Sequence, residues 1–180
     1  AGGGYDLLSS DRSWKASSGP LQENGLYFGE NYDRRLEQPG WNRAGFDDEN
    51  WEKVVEVKGP PLIAQDIPPI KIMEKLKPER ITSPQPGVYI FDFGQNISGW
   101  VRLKASGPEG TEIRLRFGEL LQPDGSLNTA TNDQARATEI VILNGQGEEI
   151  YEPRFTYHGF RYVELTGFCG QPAEDTLEAR

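Results

Sequence analysis

The fold of this chain is predicted most clearly by residues 87–121, GVYIFDFGQNISGWVRLKASGPEGTEIRLRFGELL. It consists of short runs rich in β-branched and aromatic residues, and glycines separate the runs. Near its end, Ile113, Leu115 and Phe117 alternate with charged residues, so they share one face of an extended chain. This alternation is typical of antiparallel strands that bury one face and expose the other to water.

Comparable runs continue on both sides of this stretch, and glycine-rich turns join them. The segments SGPEGTE (106–112) and NGQGEE (144–149) each link two strand-like runs in the manner of hairpins. Helical periodicity is weak, and only DDENWEKV (47–54) predicts one helical turn, with Asp47 or Asp48 as its N-cap. We therefore predict an all-β fold, an antiparallel β-sandwich of the jelly-roll, galactose-binding-like type. The runs outside the opening stretch are KVVEVKG (53–59), TEIVILNG (138–145) and YHGFRYVELTG (157–167).

The composition limits the kinds of partner that this protein can have. Its 180 residues are enough for one domain, so we predict a single β-jelly-roll domain over 1–180 with its core between 5 and 168. The net charge of −9 disfavours contact with a phosphate backbone, which argues against nucleic acid as a partner. No run approaches the roughly 18 apolar residues of a membrane span, and the start AGGGYDLL lacks the basic and apolar segments of a signal peptide.

A proline-rich segment, residues 58–87, differs from the rest of the chain. It holds seven prolines, and each proline removes a backbone donor, so the segment is not a central strand throughout. Two interpretations stay open, a domain linker and a long ordered excursion over the sandwich. The apolar residues in LIAQDIPPIKI (62–72) argue against a free linker.

The residues that could carry catalysis are few or uninformative. The single histidine, His158, lies in a strand-like run, where a packed or edge histidine is expected rather than a member of a Ser-His-Asp triad. Cys169 is the single cysteine, which excludes an internal disulfide and a metal site of the cysteine type. The 28 acidic residues offer many carboxylate pairs, so none stands out as a glycosidase pair. The oxygen-rich loops 46–50 and 23–33 lack EF-hand spacing but leave a calcium site open.

Aromatic and polar residues are concentrated around GLYFGENYDRRLEQPGW, residues 25–41. A carbohydrate site combines an aromatic ring, which packs on the C–H face of the sugar, with a few planar polar side chains. Alternatively, the aromatics belong to the core and the acids cap turns. The residues that leave both interpretations open are Glu23, Asn24, Tyr27, Phe28, Glu30, Tyr32, Asp33 and Trp41.

Several long segments in the same order make the chain resemble the bacterial α-L-rhamnosidases, glycoside hydrolase family 78. The resemblance covers most of the chain and rests on the signatures G-E-x-Y-D-x-R, D-F-G-Q-N-x-x-G-W and Y-x-P-R-F-T-Y-H-G-F-R-Y. The segments are SWKASSGPLQENGLYFGENYDRRLEQPGW (13–41), GFDDENWEKV (45–54), PPIKIMEKLKP (68–78), the opening stretch 87–121 and YEPRFTYHGFRYVEL (151–165).

The resemblance implies a role outside catalysis. In this family an (α/α)₆ barrel carries the general acid and base, and the matched region is a β-sandwich. The catalytic residues have no counterpart here, so this chain alone is not expected to hydrolyse rhamnosides. We expect it to be excised from a longer multidomain glycosidase whose catalytic barrel is its partner.

The matched region also resembles a rhamnose-binding module, carbohydrate-binding module family 67. That resemblance implies a site for L-rhamnose or a rhamnose-terminated glycan, built around a Ca²⁺ ion that touches the sugar hydroxyls. It places Glu23 and Asn24 at the sugar, although the family pair is Asp-Asn and Glu23 departs from it. Trp41 is the expected flanking aromatic. The metal is expected at Asn24, Asp66 and Pro68, with Gln65 nearby.

Three hypotheses follow for this chain. The first is a Ca²⁺-dependent L-rhamnose-binding module, and the second is a structural sandwich that supports the catalytic barrel and binds nothing alone. The third, an active glycosidase, is disfavoured because the catalytic residues are missing. The region around Glu23 and Asn24 discriminates between the first two. Residues 26–35, LYFGENYDRR, are interpreted mostly as a structural signature of the family, in which Glu30 and Asp33 tie turns and Tyr27 and Tyr32 pack.

Overall fold

The computed structural model describes residues 9–180, and its contacts divide the chain into two compact units. The smaller unit comprises residues 1–19 and 38–70, and the larger comprises residues 20–37 and 71–180. The secondary structure of residues 9–180 consists of β-strands and two short 3₁₀ helices, Arg34–Leu36 and Ala130–Asn132, without an α-helix. The predicted all-β class is confirmed, whereas the single domain over 1–180 stays a prediction.

The strands, numbered in chain order, fall into both units. The smaller unit holds β1 (Lys15–Ala16) and β4 (Glu52–Lys53), which pair with each other antiparallel. The larger unit holds β2 (Leu21–Gly25), β3 (Gly29–Asp33), β5 (Arg80–Gln85), β6 (Val88–Gly99), β7 (Val101–Ser106), β8 (Glu112–Gly118), β9 (Leu120–Leu121), β10 (Leu127–Asn128), β11 (Thr138–Ile142), β12 (Glu148–Tyr151), β13 (His158–Thr166) and β14 (Leu177–Ala179).

Two sheets form the sandwich of the larger unit. One has seven strands in the order β2-β3-β11-β8-β13-β6-β5, and the other has three in the order β12-β7-β14, while β9 and β10 form a separate pair. The expectation of purely antiparallel pairing is corrected at one place, because β11 runs parallel to β3. The two strands lie about a hundred residues apart in sequence, so no hairpin dictates their direction.

The core lies between these two sheets. The alternation predicted for the opening stretch is confirmed, since Ile113, Leu115 and Phe117 are 0 % exposed. Strands of the smaller sheet contribute to the same cluster through Val101, Leu103, Tyr151, Leu177 and Ala179. Burying such side chains stabilises the fold by about 1.5–3 kcal/mol each.

The smaller unit is held by local contacts. The ring centroids of Phe46 and Trp51 lie 5.6 Å apart, and Lys15 Nζ lies 2.9 Å from an oxygen of Asp48. The predicted turn is present, since the side chain of Asp47 accepts the Glu49 N–H at 3.0 Å. Residues 47–54 do not continue into a helix. None of the described residues of this unit is fully buried.

Two expectations for residues 53–87 need correction. The predicted strand 53–59 is wrong, because β4 ends at Lys53 and Val57 beyond it is 82 % exposed without a pairing strand among residues 9–180. The proline-rich segment 58–87 ends in a real strand, β5, at the edge of the large sheet. Pro84 is tolerated there because the pairing with β6 is irregular at that point. The choice between linker and excursion for the remaining residues stays open.

Gly29 provides a test of this fold. Its φ is +97°, and an added Cβ would lie 2.0 Å from the Thr138 carbonyl oxygen. We expect Gly29→Ala to lose about 1–2 kcal/mol for the left-handed backbone and about 1–3 kcal/mol more for the clash. Urea unfolding followed by circular dichroism measures the loss.

The matched control is Gly87→Ala. Gly87 has a φ of +77° with nothing within 4 Å of an added Cβ, so only the backbone cost applies. Equal losses in the two variants would contradict the close packing of β3 against β11.

Candidate functional site

The carboxylate of Glu30 links β3 to the segment that follows β12. Its side chain is only 2 % exposed. Oε1 accepts the Tyr151 hydroxyl at 3.2 Å, and Oε2 accepts the backbone N–H groups of Arg154 at 3.2 Å and Phe155 at 3.4 Å. Three donors compensate for the burial of this carboxylate, so Glu30 is a structural residue.

His158, on β13, is a second buried polar residue of the larger unit. Its Nε2 lies 3.2 Å from Oε1 of Glu139, and its ring stacks on Phe117 with centroids 4.2 Å apart. Both His158 and Glu139 are buried. The prediction of a packed histidine is confirmed, and no substrate can reach this ring.

Asp33 and Arg34 fasten the chain where β3 ends. The Asp33 carboxylate accepts the backbone N–H of Arg35 at 3.0 Å and its guanidinium at 2.9 Å and 2.7 Å. These hydrogen bonds hold the pKa of Asp33 below its usual value. Arg34 Nε lies 2.9 Å from an oxygen of the buried Glu149 on β12. The prediction that Glu30 and Asp33 tie turns is confirmed.

Glu23, on β2, is engaged by the protein itself. Its Oε2 accepts a hydrogen bond from Asn31 Nδ2 at 2.8 Å and another from Arg136 Nη2 at 2.6 Å. Arg136 also donates to the Phe28 carbonyl at 3.1 Å and lies over the Phe28 ring. Arg136 was missed by sequence reasoning, because 113 residues separate it from Glu23 and no local pattern connects the two.

Asn24 is the open member of the predicted pair. It is exposed and makes no side-chain hydrogen bond to residues 9–180. Glu23 pairs with Asn31 and Asn24 pairs with Glu30, so the side chains of Glu23 and Asn24 point to opposite faces of the ribbon. A ligand bound to the Asn24 side chain can therefore contact the Glu23 carboxylate only by reaching around the edge of β2.

The aromatic residues of the stretch 25–41 divide into packed and exposed ones. Tyr32 packs 5.7 Å from the Tyr151 ring, and burial raises the pKa of Tyr32 to about 12. The expectation that Tyr27 packs as well is wrong, since it is 72 % exposed. Tyr27 lies in the turn between β2 and β3, which carries it away from the core. Phe28 and Trp41 are 52 % and 60 % exposed, and Arg136 lies over one face of the Phe28 ring.

The predicted site residues are distributed over both units. Glu23 and Asn24 belong to the larger unit, whereas Trp41, Asp66 and Pro68 belong to the smaller one. All except the half-buried Glu23 are exposed. Their joint assignment to one site stays a prediction.

The predicted metal ligands carry oxygen donors. Calcium takes six to eight oxygens from carboxylates, amides and backbone carbonyls. The exposed Asn24 amide, Asp66 carboxylate and Pro68 carbonyl fit this donor set in kind. Within residues 9–180 no group of three or more His, Cys, Asp or Glu side chains is placed to hold a metal.

The same residues contain no helix that is long and apolar enough to cross a membrane.

Family models match both parts of the chain. The model described as the bacterial alpha-L-rhamnosidase concanavalin-like domain matches residues 82–180. The model described as the alpha-L-rhamnosidase N-terminal domain matches residues 1–74. The segment 20–37 falls within the second match, yet it supplies two strands of the large sheet.

Curated relatives and solved structures agree with these matches. An alpha-L-rhamnosidase of Streptomyces avermitilis is 45% identical over 186 residues, covering 100% of this chain and 18% of its own length. One of Formosa agariphila is 38% identical, covering 94% of this chain and 19% of its own length.

The solved structures likewise match most of this chain but only a small part of their own length. The S. avermitilis alpha-L-rhamnosidase complexed with L-rhamnose superimposes with a TM-score of 0.93 at 46% identity, over 96% of this chain and 17% of that one. The structure from Dictyoglumus thermophilum gives a TM-score of 0.90 at 48% identity, over 94% of this chain and 20% of that one. The chain thus spans about a fifth of the length of the relatives that it matches.

The contacts of Arg136 generate a prediction. Arg136→Ala removes the donor to Glu23 and to the Phe28 carbonyl, and we expect a loss of about 1 kcal/mol in unfolding free energy. Arg114→Ala is the control, because among residues 9–180 the Arg114 side chain forms only a local exposed pair with Glu112, so its loss should cost no more than about 0.5 kcal/mol. If both variants unfold at the same urea concentration, Arg136 does not hold the hairpin.

Proposed function

The chain belongs to the bacterial α-L-rhamnosidase family, and we propose that it acts there as a non-catalytic module that binds terminal L-rhamnose with the help of Ca²⁺. The observation that carries this proposal is the exposed Asn24 amide, which no described side chain engages. Asn24 lies two residues before Leu26, at the end of a hairpin whose turn exposes Tyr27 and Phe28.

The proposal assigns no hydrolysis to this chain. Its single histidine is packed in the core, and the acids Glu30 and Glu139 are enclosed where no glycosidic bond can reach. A glycosidase needs two carboxylates on either side of the scissile bond. Hydrolysis is accordingly assigned to another part of the parent enzyme, the (α/α)₆ barrel that the family resemblance implies.

The sugar contacts follow from the chemistry of the open residues. An asparagine amide donates through its nitrogen and accepts through its oxygen, so Asn24 suits a pair of neighbouring hydroxyls. The exposed Trp41 ring offers an apolar face for the C–H side of a sugar. A neutral sugar needs no opposite charge, so the net charge of −9 does not oppose binding. The relative that was solved with L-rhamnose supports this choice of ligand.

Calcium would be held by residues that present oxygen to solvent. We propose the Asn24 side-chain oxygen as a ligand in the larger unit, while the Asp66 carboxylate and the Pro68 carbonyl stay predicted ligands of the smaller unit. A bound Ca²⁺ would supply positive charge to the oxygens of a vicinal diol.

A second function, a structural sandwich that supports the catalytic barrel, is favoured by the contacts of Glu23. This carboxylate accepts hydrogen bonds from Asn31 and Arg136, so its Oε2 is already used within the protein. If the Glu23 carboxylate serves only to hold the hairpin, Asn24 has no partner with which to bind a sugar.

Calorimetric titration with L-rhamnose tests the two functions. We expect heat of binding in the presence of calcium and its loss after addition of a chelator. The absence of heat in both conditions would leave the structural function. Heat that the chelator does not change would retain the sugar site and remove calcium from it.

Asn24→Ala is expected to abolish this binding while the melting temperature stays within about 2 °C, because an exposed side chain adds little to stability. Asn96→Ala is the control, an exposed amide of the same unit that hydrogen-bonds Glu119. The control should bind like the unmodified chain. A large loss of stability in Asn24→Ala would instead assign Asn24 to the fold.

Trp41 and Asp66 test the contribution of the smaller unit. Loss of the ring in Trp41→Ala should weaken rhamnose binding roughly tenfold, whereas Trp14→Ala, a change at another exposed tryptophan of that unit, should not. Asp66→Ala should reduce the effect of calcium. Unchanged titrations in both site variants would exclude the smaller unit from the site.

A further inference from the structure

A pair of buried carboxyl groups meets a single histidine inside the sandwich. Glu139, on β11, is 0 % exposed, and Glu30, on the neighbouring β3, is 2 % exposed. Ile140 pairs with Asn31 across these parallel strands, which brings the preceding residues Glu139 and Glu30 side by side. His158, on β13, is the only basic side chain hydrogen-bonded to either carboxyl among residues 9–180.

The two carboxyl groups differ in their donors. Glu30 accepts one hydroxyl and two backbone N–H groups, which suits an ionised carboxylate. Oε1 of Glu139 faces His158, whereas Oε2 is buried without a hydrogen-bond partner among residues 9–180. An ionised carboxylate with one unpaired oxygen in a dry core is costly, whereas a carboxylic acid is not.

The groups that face Glu139 come from every neighbouring element. Strand β3 contributes Glu30, β12 contributes the Tyr151 hydroxyl, and β13 contributes His158. The next strand, β8, contributes Phe117, which stacks on the histidine ring. Burial raises the pKa of Glu139 above its ordinary value of 4.5, and the charge of Glu30 adds to this effect, while His158 and the Tyr151 hydroxyl oppose it.

We propose that Glu139 keeps a proton in the folded chain at neutral pH, and that this proton holds the hairpin β2–β3 onto the sandwich. With Glu139 neutral, Glu30 carries the only negative charge of the cluster. Removal of the proton places two carboxylates side by side on β3 and β11. Because β2 and β3 form one end of the large sheet, repulsion between these two carboxylates loosens the β2–β3 hairpin before the other strands of the sheet.

The pH dependence has a defined sign. The folded chain binds a proton that the unfolded chain releases above pH 4.5. Stability from this proton is therefore complete below pH 4.5 and declines as pH rises to the pKa of Glu139 in the fold. Across that window the unfolding equilibrium constant increases by up to tenfold per pH unit.

Urea unfolding between pH 4.5 and pH 9 tests the proposal with two variants. Glu139→Gln keeps the shape of the neutral acid, so it should fold, and the contribution of up to tenfold per pH unit to the rise of its unfolding equilibrium constant should be lost. His158→Gln keeps a donor toward Glu139, so it should retain that pH-dependent contribution. Loss of the contribution in His158→Gln as well as in Glu139→Gln would place the proton on the histidine, as an imidazolium paired with the Glu139 carboxylate, and would overturn the proposal.

Infrared spectroscopy of the chain at neutral pH is a second test of the protonation of Glu139, and it needs no stable variant. A chain with isotope-labelled glutamate should show the carbonyl band of one protonated carboxylic acid, and the band should fade at alkaline pH. Hydrogen exchange of β2 and β3 amides should accelerate over the same pH range, ahead of β8. Absence of the band at neutral pH would refute a protonated Glu139.

Discussion

The buried carboxylate of Glu30 is the interaction on which the larger unit depends. It joins β3 to Tyr151 and to two backbone N–H groups of the segment after β12. Removing one of these partners would leave a charged group in the core without compensation, which is among the most expensive defects in a folded protein. The segment 20–37 is thereby part of the sandwich, although the family model for the N-terminal domain includes it.

This constraint separates the structural residues of the chain from those available to a ligand. The residues of the long sequence signatures, such as Glu30, Asp33 and His158, use their polar atoms inside the protein. The open polar and aromatic groups lie beside the first signature, at Asn24 and at Trp41. A single short region of the sequence therefore serves both the core and the proposed sugar site.

The sequence predicted the sandwich well where alternation was strong and poorly where pairing depends on distant segments. Residues 111–121 revealed their buried face through Ile113 and Leu115, because a period of two residues is a local property. The strand predicted at 53–59 failed because β-branched residues form a strand only when a partner is present. The parallel pairing of β3 with β11 and the contact of Arg136 with Glu23 join residues more than a hundred positions apart. No local pattern encodes such contacts, and the assignment of Asn24, Trp41 and Asp66 to one site stays a prediction for the same reason.

A heteronuclear NMR titration of the ¹⁵N-labelled chain with L-rhamnose and calcium separates the closed core from the proposed sugar site. The side-chain amide of Asn24 and the indole of Trp41 should shift on binding. The backbone amides of Glu30, Tyr151 and His158 should stay in place, because their side chains belong to the closed core. Shifts centred on the Glu30 cluster, or no shift at Asn24, would contradict the division between a structural core and an open sugar site.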